Sequence, residues 1–412
     1  MKAIRLEREQ ITKASGILFL TAALAAPFST ALLNITCILG FIVWLLGLSR
    51  QQLFWVVSQP FIWLLMAIIL LLCFSLFWTS APTSDALSVL SKYRKLLYAF
   101  AVAGICFAWP AFRGLFLRFL YTSLSLMALF SVAVALQLPA MPPIDPYQGA
   151  IFMKSHITEG FLLGILTLLN GALLLFSEHK PLRFLGAAGL VLTSVVAFYL
   201  TNGRTGFLSV GLAFVVIGCY WSSDKKRLFM LIAALLIAVS AIFSTSDRVQ
   251  SRVTEGINDL QGYVEQDNAK TSMGLRADFW VSGLKMIIQA PVLGHGVGSF
   301  EAQMKKQIAS NPEATQKVTT LNPHNDFILF GAQTGLIGLS LLLVLLWRIY
   351  RYSGELPQPQ SLLIRGLIVI YAAGALFNSY LLDFTEGTVF VLTLSALLAG
   401  NRQTTLKESE HA

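Results

Sequence analysis

Long apolar runs recur along this chain so often that they settle its class before any motif is considered. A helix that crosses a bilayer needs about 20 mostly apolar residues. Twelve such stretches can be read, near 15–33, 34–49, 59–78, 96–112, 114–137, 158–177, 183–201, 205–221, 227–244, 325–349, 361–380 and 385–400. Within lipid every backbone polar group must be paired internally, so runs of this length imply helices. Only 12% of the residues are charged and mean hydropathy is +0.69, whereas a soluble domain carries roughly 25% charged residues. The expected fold is an all-α polytopic membrane protein with about 12 transmembrane helices.

The formal net charge of +9 does not imply nucleic-acid binding, because Lys and Arg gather in the cytoplasmic loops of membrane proteins. With the N-terminus placed inside, 17 of the 30 basic residues fall on or near the cytoplasmic face. The short outer loops hold five (Lys92, Arg94, Lys95, Lys154 and Arg204), and a long polar insert holds the other eight. This bias predicts both termini inside and the insert outside. The basic start (Lys2, Arg5, Arg8, Lys13) leading into an apolar run is read as an uncleaved first span. Cys37, Cys73, Cys106 and Cys219 all lie in apolar runs without metal-ligand spacing, and are expected to be small buried hydrophobes.

The spacing divides the chain into four parts: residues 1–244 with nine spans, a polar insert at 245–324, three further spans within 325–400, and a tail at 401–412. A carrier built of two equal halves usually breaks mid-chain on the cytoplasmic side. Here the break follows the ninth span and faces outwards, and hydropathy shows no inverted repeat. The first half of the insert, 245–272, reads as polar and weakly structured. In the second half Leu275, Phe279, Trp280, Leu284, Ile287 and Ile288 recur at helical spacing up to Pro291. Gly294, Gly296 and Gly298 then predict a tight turn, and a short amphipathic helix is expected at about 301–309. The outer loop 138–157, with several prolines, should not be one regular helix.

Three positions stand out chemically. In Asn322-Pro323-His324-Asn325-Asp326, Pro323 suits the first helical position and Asn322 the cap. His324 would then sit in the first turn of the tenth span, where the positive helix end favours a neutral, proton-accepting imidazole. A structural histidine at an interface is the alternative. Arg204, in Thr201-Asn202-Gly203-Arg204-Thr205-Gly206, lies in a very short outer loop with no carboxylate nearby in sequence. A guanidinium at membrane level needs an anionic partner, and its planar fork suits phosphate; snorkelling to headgroups is the alternative. Arg276 begins the amphipathic helix, where a solvated face or local ion pair competes with anion binding. Lys92, Arg94 and Lys95 add positive field from another outer loop, and His156 closes the proline-rich one. Asp326 and Asp383 are candidate supporting carboxylates, although Asp383 and Glu386 read more naturally as solvated. Gly294-His295-Gly296 lacks the ending of a nucleotide-phosphate loop. No metal-ligand pattern is present in the insert.

Thr201–Gly206, then Arg276 with Trp280 and the Pro291 to Phe300 turn, then Asn322–Asp326 with Gly335 and Gly338, resemble in order and spacing the O-antigen ligase and polymerase superfamily. That resemblance implies a GT-C-like inverting glycosyltransferase with a helical periplasmic insert before the tenth span, in the bacterial inner membrane. It implies a glycan donor carried on undecaprenyl pyrophosphate, a lipid A-core sugar hydroxyl as acceptor, and no metal or other cofactor. Under it, Arg204 and Arg276 would hold the pyrophosphate and His324 would activate the acceptor. A single large outer loop and a short tail favour the ligase. An O-antigen polymerase and a non-catalytic polyisoprenoid or lipid transporter remain alternatives.

Overall fold

The protein is described by a computed structural model covering residues 2–222, 224–266, 271–310 and 318–399. The tail 401–412 lies outside the described residues. Among those described, the regular elements are all helical, and each of the twelve apolar stretches falls on helix. The first group is α1 (Lys2–Ala25), α2 (Thr30–Gly47), α3 (Arg50–Val57), α4 (Pro60–Phe74), α5 (Thr83–Lys92), α6 (Tyr98–Ala108) and α7 (Phe112–Ala135). Next come α8 (His156–Phe176), α9 (Lys180–Val195, continued by a π turn to Leu200), α10 (Arg204–Trp221) and α11 (Lys225–Thr245). The insert holds α12 (Asp247–Gln266), α13 (Ser272–Gln289) and α14 (Phe300–Ala309). Helices α15 (Asp326–Tyr352), α16 (Gln358–Gly374) and α17 (Phe384–Leu398) complete the bundle.

Seven of these helices are by themselves long and apolar enough to cross a membrane, or eight if α3 and α4, bent by 87°, form one span. Of the other expected spans, α1 is long but opens on a charged stretch, and α4, α6, α16 and α17 have 17 residues or fewer. Helix α6 has 11 residues and α17 has 15, and both are buried in the bundle. A helix wrapped by its neighbours satisfies its surroundings through protein contacts, so it can be shorter than a lipid-exposed span. Helix α8 lies at the centre, against α7, α9, α10, α16 and α17. Gly160 of α8 and Gly206 of α10 let the two backbones approach closely: a Cβ on Gly160 would sit 2.6 Å from Gly206.

Several expectations need correction. The break between the first two helices lies at residues 26–29, not near Asn34. Pro27 removes a backbone donor there, and the Ser29 hydroxyl caps α2 by accepting from the Leu32 N–H at 3.2 Å. Cys37 and Cys106 are buried, but Cys73 and Cys219 are exposed on the outside of the bundle. The stretch read as weakly structured is α12, a helix of 20 residues. Its apolar positions Val249, Val253, Ile257 and Leu260 do recur every three or four residues. The dense polar background between them hides the period. The helix at 275–290, the glycine turn and the short helix near 301–309 are all present as α13, the turn 290–299 and α14.

Candidate active site

The Thr201–Gly206 stretch is held by the proline-rich loop rather than by its own helix. Gly149 pairs with Thr201 as an isolated bridge, the Ala150 N–H donates to Leu200 O at 2.8 Å, and the Asn202 N–H donates to Gln148 O at 3.0 Å. The Asn202 side chain donates to the carbonyls of Pro146 and Tyr147 and accepts from Arg248 Nη1. This bracing fixes where α10 begins and so where Arg204, its first residue, projects.

Helix α12 crosses over that point. Arg204 Nη2 lies 3.2 Å from Glu255 Oε2, and Arg204 Nε donates to Arg252 O at 2.9 Å. No carboxylate lies nearby in sequence, as read, yet the fold supplies one. The partner comes from an element 51 residues further along (255 minus 204), which no local reading can supply. Arg252 in turn sits 2.7 Å from Glu255 Oε2, donates to Tyr147 O at 2.7 Å, and stacks over the Tyr147 ring at 4.8 Å. Together with His156, Ile157, Asn202, Thr205, Ser272 and Arg276, these groups line a cleft of about 630 Å³, partly open to solvent. Two further clefts among the spans are walled almost wholly by apolar side chains and offer no comparable cluster of charge.

Arg276 enters the cleft from α13. It is half-buried and, unlike Arg204, has no ion pair or hydrogen bond among the described residues. Burial, and then the charge of Arg204, lower its pKa. Three guanidinium groups thus converge, with Glu255 between two of them and Asp259 4.0 Å from Arg204 Nη2, an arrangement suited to an anion with several oxygens.

His324 stands beside Arg276 but is not in the first turn of α15. The cap is Asn325, whose side chain accepts from the Ile328 N–H at 3.0 Å, and the helix starts at Asp326. Asn322 instead closes a local turn by accepting from the His324 N–H at 2.8 Å, and His324 adopts a left-handed backbone with φ 53°. Backbone of this kind in a residue with a side chain is sparsely populated and gathers at functional positions. The imidazole is pushed down to about 4, first by burial and second by the Arg276 charge. The shift favours a neutral ring as expected, but through desolvation and a neighbouring cation rather than position within a helical turn.

The glycine turn secures this corner without binding a ligand. Helix α15 breaks at Gly335 (φ 64°, ψ −166°). The freed carbonyls of Ala332 and Gln333 accept from the His295 and Gly296 N–H groups at 2.9 Å each, and the Leu336 N–H donates to Pro291 O at 2.7 Å. The turn's amides are thus used to repair a broken helix, and they lock α13, which carries Arg276, to α15, which His324 precedes.

Of the candidates, only Arg204, Arg276 and His156 line the cleft; His324 and the rest lie outside its lining. Lys92 lies at the end of α5. Arg94 donates to Asn34 Oδ1 at 2.7 Å and Ser91 O at 2.6 Å. Lys95 is fully buried, donating to Asp383 O at 2.5 Å and lying over the Phe384 ring. Asp326 is also fully buried, accepting from the Tyr371 hydroxyl at 3.0 Å and from the Leu381 N–H, so it joins α15 to α16 and the following loop. Glu386 is buried and accepts from the Thr158 hydroxyl at 2.5 Å, and Asp383 is half-buried; neither is the solvated carboxylate expected. Tyr147, Asn202, Arg252, Glu255 and Ser272 were not singled out in the sequence. Arg252 and Glu255 lie three apart on one helical face, but nothing in that pattern points to Arg204. Among the described residues no group of three His, Cys, Asp or Glu side chains is arranged to hold a metal ion.

Residues 189–343 match a protein-family model described as O-antigen ligase. The chain is 25% identical over 211 residues to an O-antigen ligase of Escherichia coli, covering 51% of this chain and 49% of that protein. It is also 25% identical over 222 residues to an uncharacterized protein of Haemophilus influenzae, covering 52% of this chain and 55% of the other. The chain spans about half the length of the curated relatives it matches. The matched segment contains Arg204, Arg276 and His324, and over it this chain is similar to the O-antigen ligase family.

Proposed function

We propose that the protein transfers a glycan from undecaprenyl pyrophosphate to a sugar hydroxyl of lipid A-core, on the periplasmic side of the bacterial inner membrane. The observation that carries this reading is the convergence of Arg204 and Arg276 on one cleft, with His324, outside the lining of that cleft, close enough for the Arg276 charge to lower its pKa. The donor's pyrophosphate sits against Arg204 and Arg276, which take up negative charge as the leaving group departs. His324 accepts the proton of the acceptor hydroxyl. The oxygen attacks the anomeric carbon from the face opposite the pyrophosphate, a new C–O bond forms, the old one breaks, and the configuration inverts. Arginine charge serves where many glycosyltransferases use a cation, so transfer is independent of added metal.

The test is reconstitution of the purified chain with lipid-linked glycan donor and lipid A-core acceptor. Formation of a glycan-bearing core by the wild type, and its loss in Arg276→Ala, supports the reading. Lengthening of the lipid-linked glycan instead would assign the chain as a polymerase. Movement of the lipid carrier without a new glycosidic bond would remove catalysis altogether.

A further inference from the structure

The turn of α12 from Arg252 to Gly256 lies directly over Arg204. Arg252 O accepts from Arg204 Nε, Glu255 faces Arg204 Nη2, and a Cβ on Gly256 would come within 3.5 Å of the Arg204 guanidinium carbon. Arg204 Nη2 is sealed from solvent yet makes no hydrogen bond: Glu255 sits 3.2 Å away without the geometry for one. Buried charged donors left in this state cost stability, and here Glu255 is shared between Arg204 and Arg252, with Asp259 4.0 Å from Arg204 Nη2 as a more distant second carboxylate. His156 Nδ1, at the same cleft, is likewise buried without a partner among the described residues. The three arginines thus carry more positive charge than Glu255 and the more distant Asp259 satisfy, and Glu255, the nearer carboxylate, is 43% exposed at its side chain, on the cleft wall.

We propose that Glu255 occupies the place of a phosphate in the substrate-free protein, and that Arg252 is a third pyrophosphate-binding arginine that the ligand meets when it displaces Glu255. The proposal rests on the functional reading above and adds to it a competitor and a further binding residue. A carboxylate offers two oxygens to the Arg204–Arg252 pair. A pyrophosphate bridging both, and reaching the unpartnered Arg276, offers more acceptors, and bidentate arginine contacts reward them. Displacement frees Glu255 to swing into solvent, so its own repulsion of the ligand falls away. An internal anion of this kind also keeps free carboxylates and single phosphates from holding the cleft, because they gain too little to expel it.

The experiment measures binding of inorganic pyrophosphate to the purified full chain in lipid nanodiscs. Glu255→Gln removes the competing charge while keeping its size, and binding should tighten about fivefold, equivalent to about 1 kcal/mol, the scale of a part-exposed ion pair. Glu255→Asp, which withdraws the carboxylate by one methylene, should tighten binding by a smaller factor, and it stands in if the Gln variant does not fold. Arg252→Gln should weaken binding. Unchanged or weaker binding in Glu255→Gln, with wild-type binding that Arg276→Ala abolishes, overturns the displacement and leaves the pyrophosphate site standing. No binding by the wild type or any variant overturns both.

Discussion

Lowering the pH separates a buried, cation-flanked imidazole at residue 324 from an ordinary one. At pH 6 an imidazole with the usual value of 6.5 is about 75% protonated, whereas one held at about 4 is about 1% protonated. The free-enzyme kcat/KM for glycan transfer, which reports the essential base before substrate binds, should therefore stay flat from pH 8 down to about 5 and fall only towards 4. Burial is the larger cause of the shift and Arg276 the smaller. Arg276→Gln, besides slowing transfer, should move the acid limb upwards while leaving it below 6.5. Stability carries the same sign. The unfolded chain takes up the proton near 6.5 and the folded one only near 4, so the folded state is fully favoured above about 6.5 and loses stability as pH falls towards 4. At most about 3 kcal/mol is lost from this group, the free-energy equivalent of that shift. The assay is a pH–rate profile on nanodisc protein with both substrates well below saturation, repeated in His156→Gln to remove the histidine that lines the cleft. A rate that halves near pH 6.5 in both backgrounds would refute the assignment of a strongly depressed His324 as the base.

Other perturbations follow from single contacts. Arg204→Ala and Arg276→Ala should each lower kcat/KM by about 100-fold or more, the scale of losing one charge-stabilising group, with protein yield unchanged. Asp326→Ala leaves the Tyr371 hydroxyl and the Leu381 N–H unpaired in the core, and should destabilise the protein by about 2–5 kcal/mol, read as a lower Tm. Gly335→Ala forces a side chain into a left-handed backbone, with its Cβ 2.2 Å from Val292 O. The conformation alone costs about 1–3 kcal/mol, and detachment of the 291–299 turn should lower both Tm and transfer.

The helical class was legible because apolar runs of span length leave few other folds in a bilayer. Arg204 and Arg276, which line one cleft, could be singled out too, since charge at an apolar boundary asks for an explanation. What the sequence concealed is the pairing between distant elements. Glu255 and Arg252 belong to a polar helix that looks like any solvated surface until α12 is laid across the start of α10. Lys95 reads as outward positive field, yet its ammonium is buried against Asp383 O, because the 3₁₀ turn Tyr93–Leu97 rotates it inwards. The cap of α15 was misplaced by three residues: Asn322 and Asn325 both suit a cap, and the carbonyls of Ala375 and Leu376, together with the Ser379 hydroxyl, decide for Asn325. Such choices are made by tertiary partners, not by local preference.

The most direct measurement compares wild-type and His324→Ala protein in transfer of glycan from undecaprenyl pyrophosphate to lipid A-core, with matched insertion and a chelator present. Product from the wild type and none from the variant is the expected result. Equal product from both would contradict the role of His324 as the group that activates the acceptor.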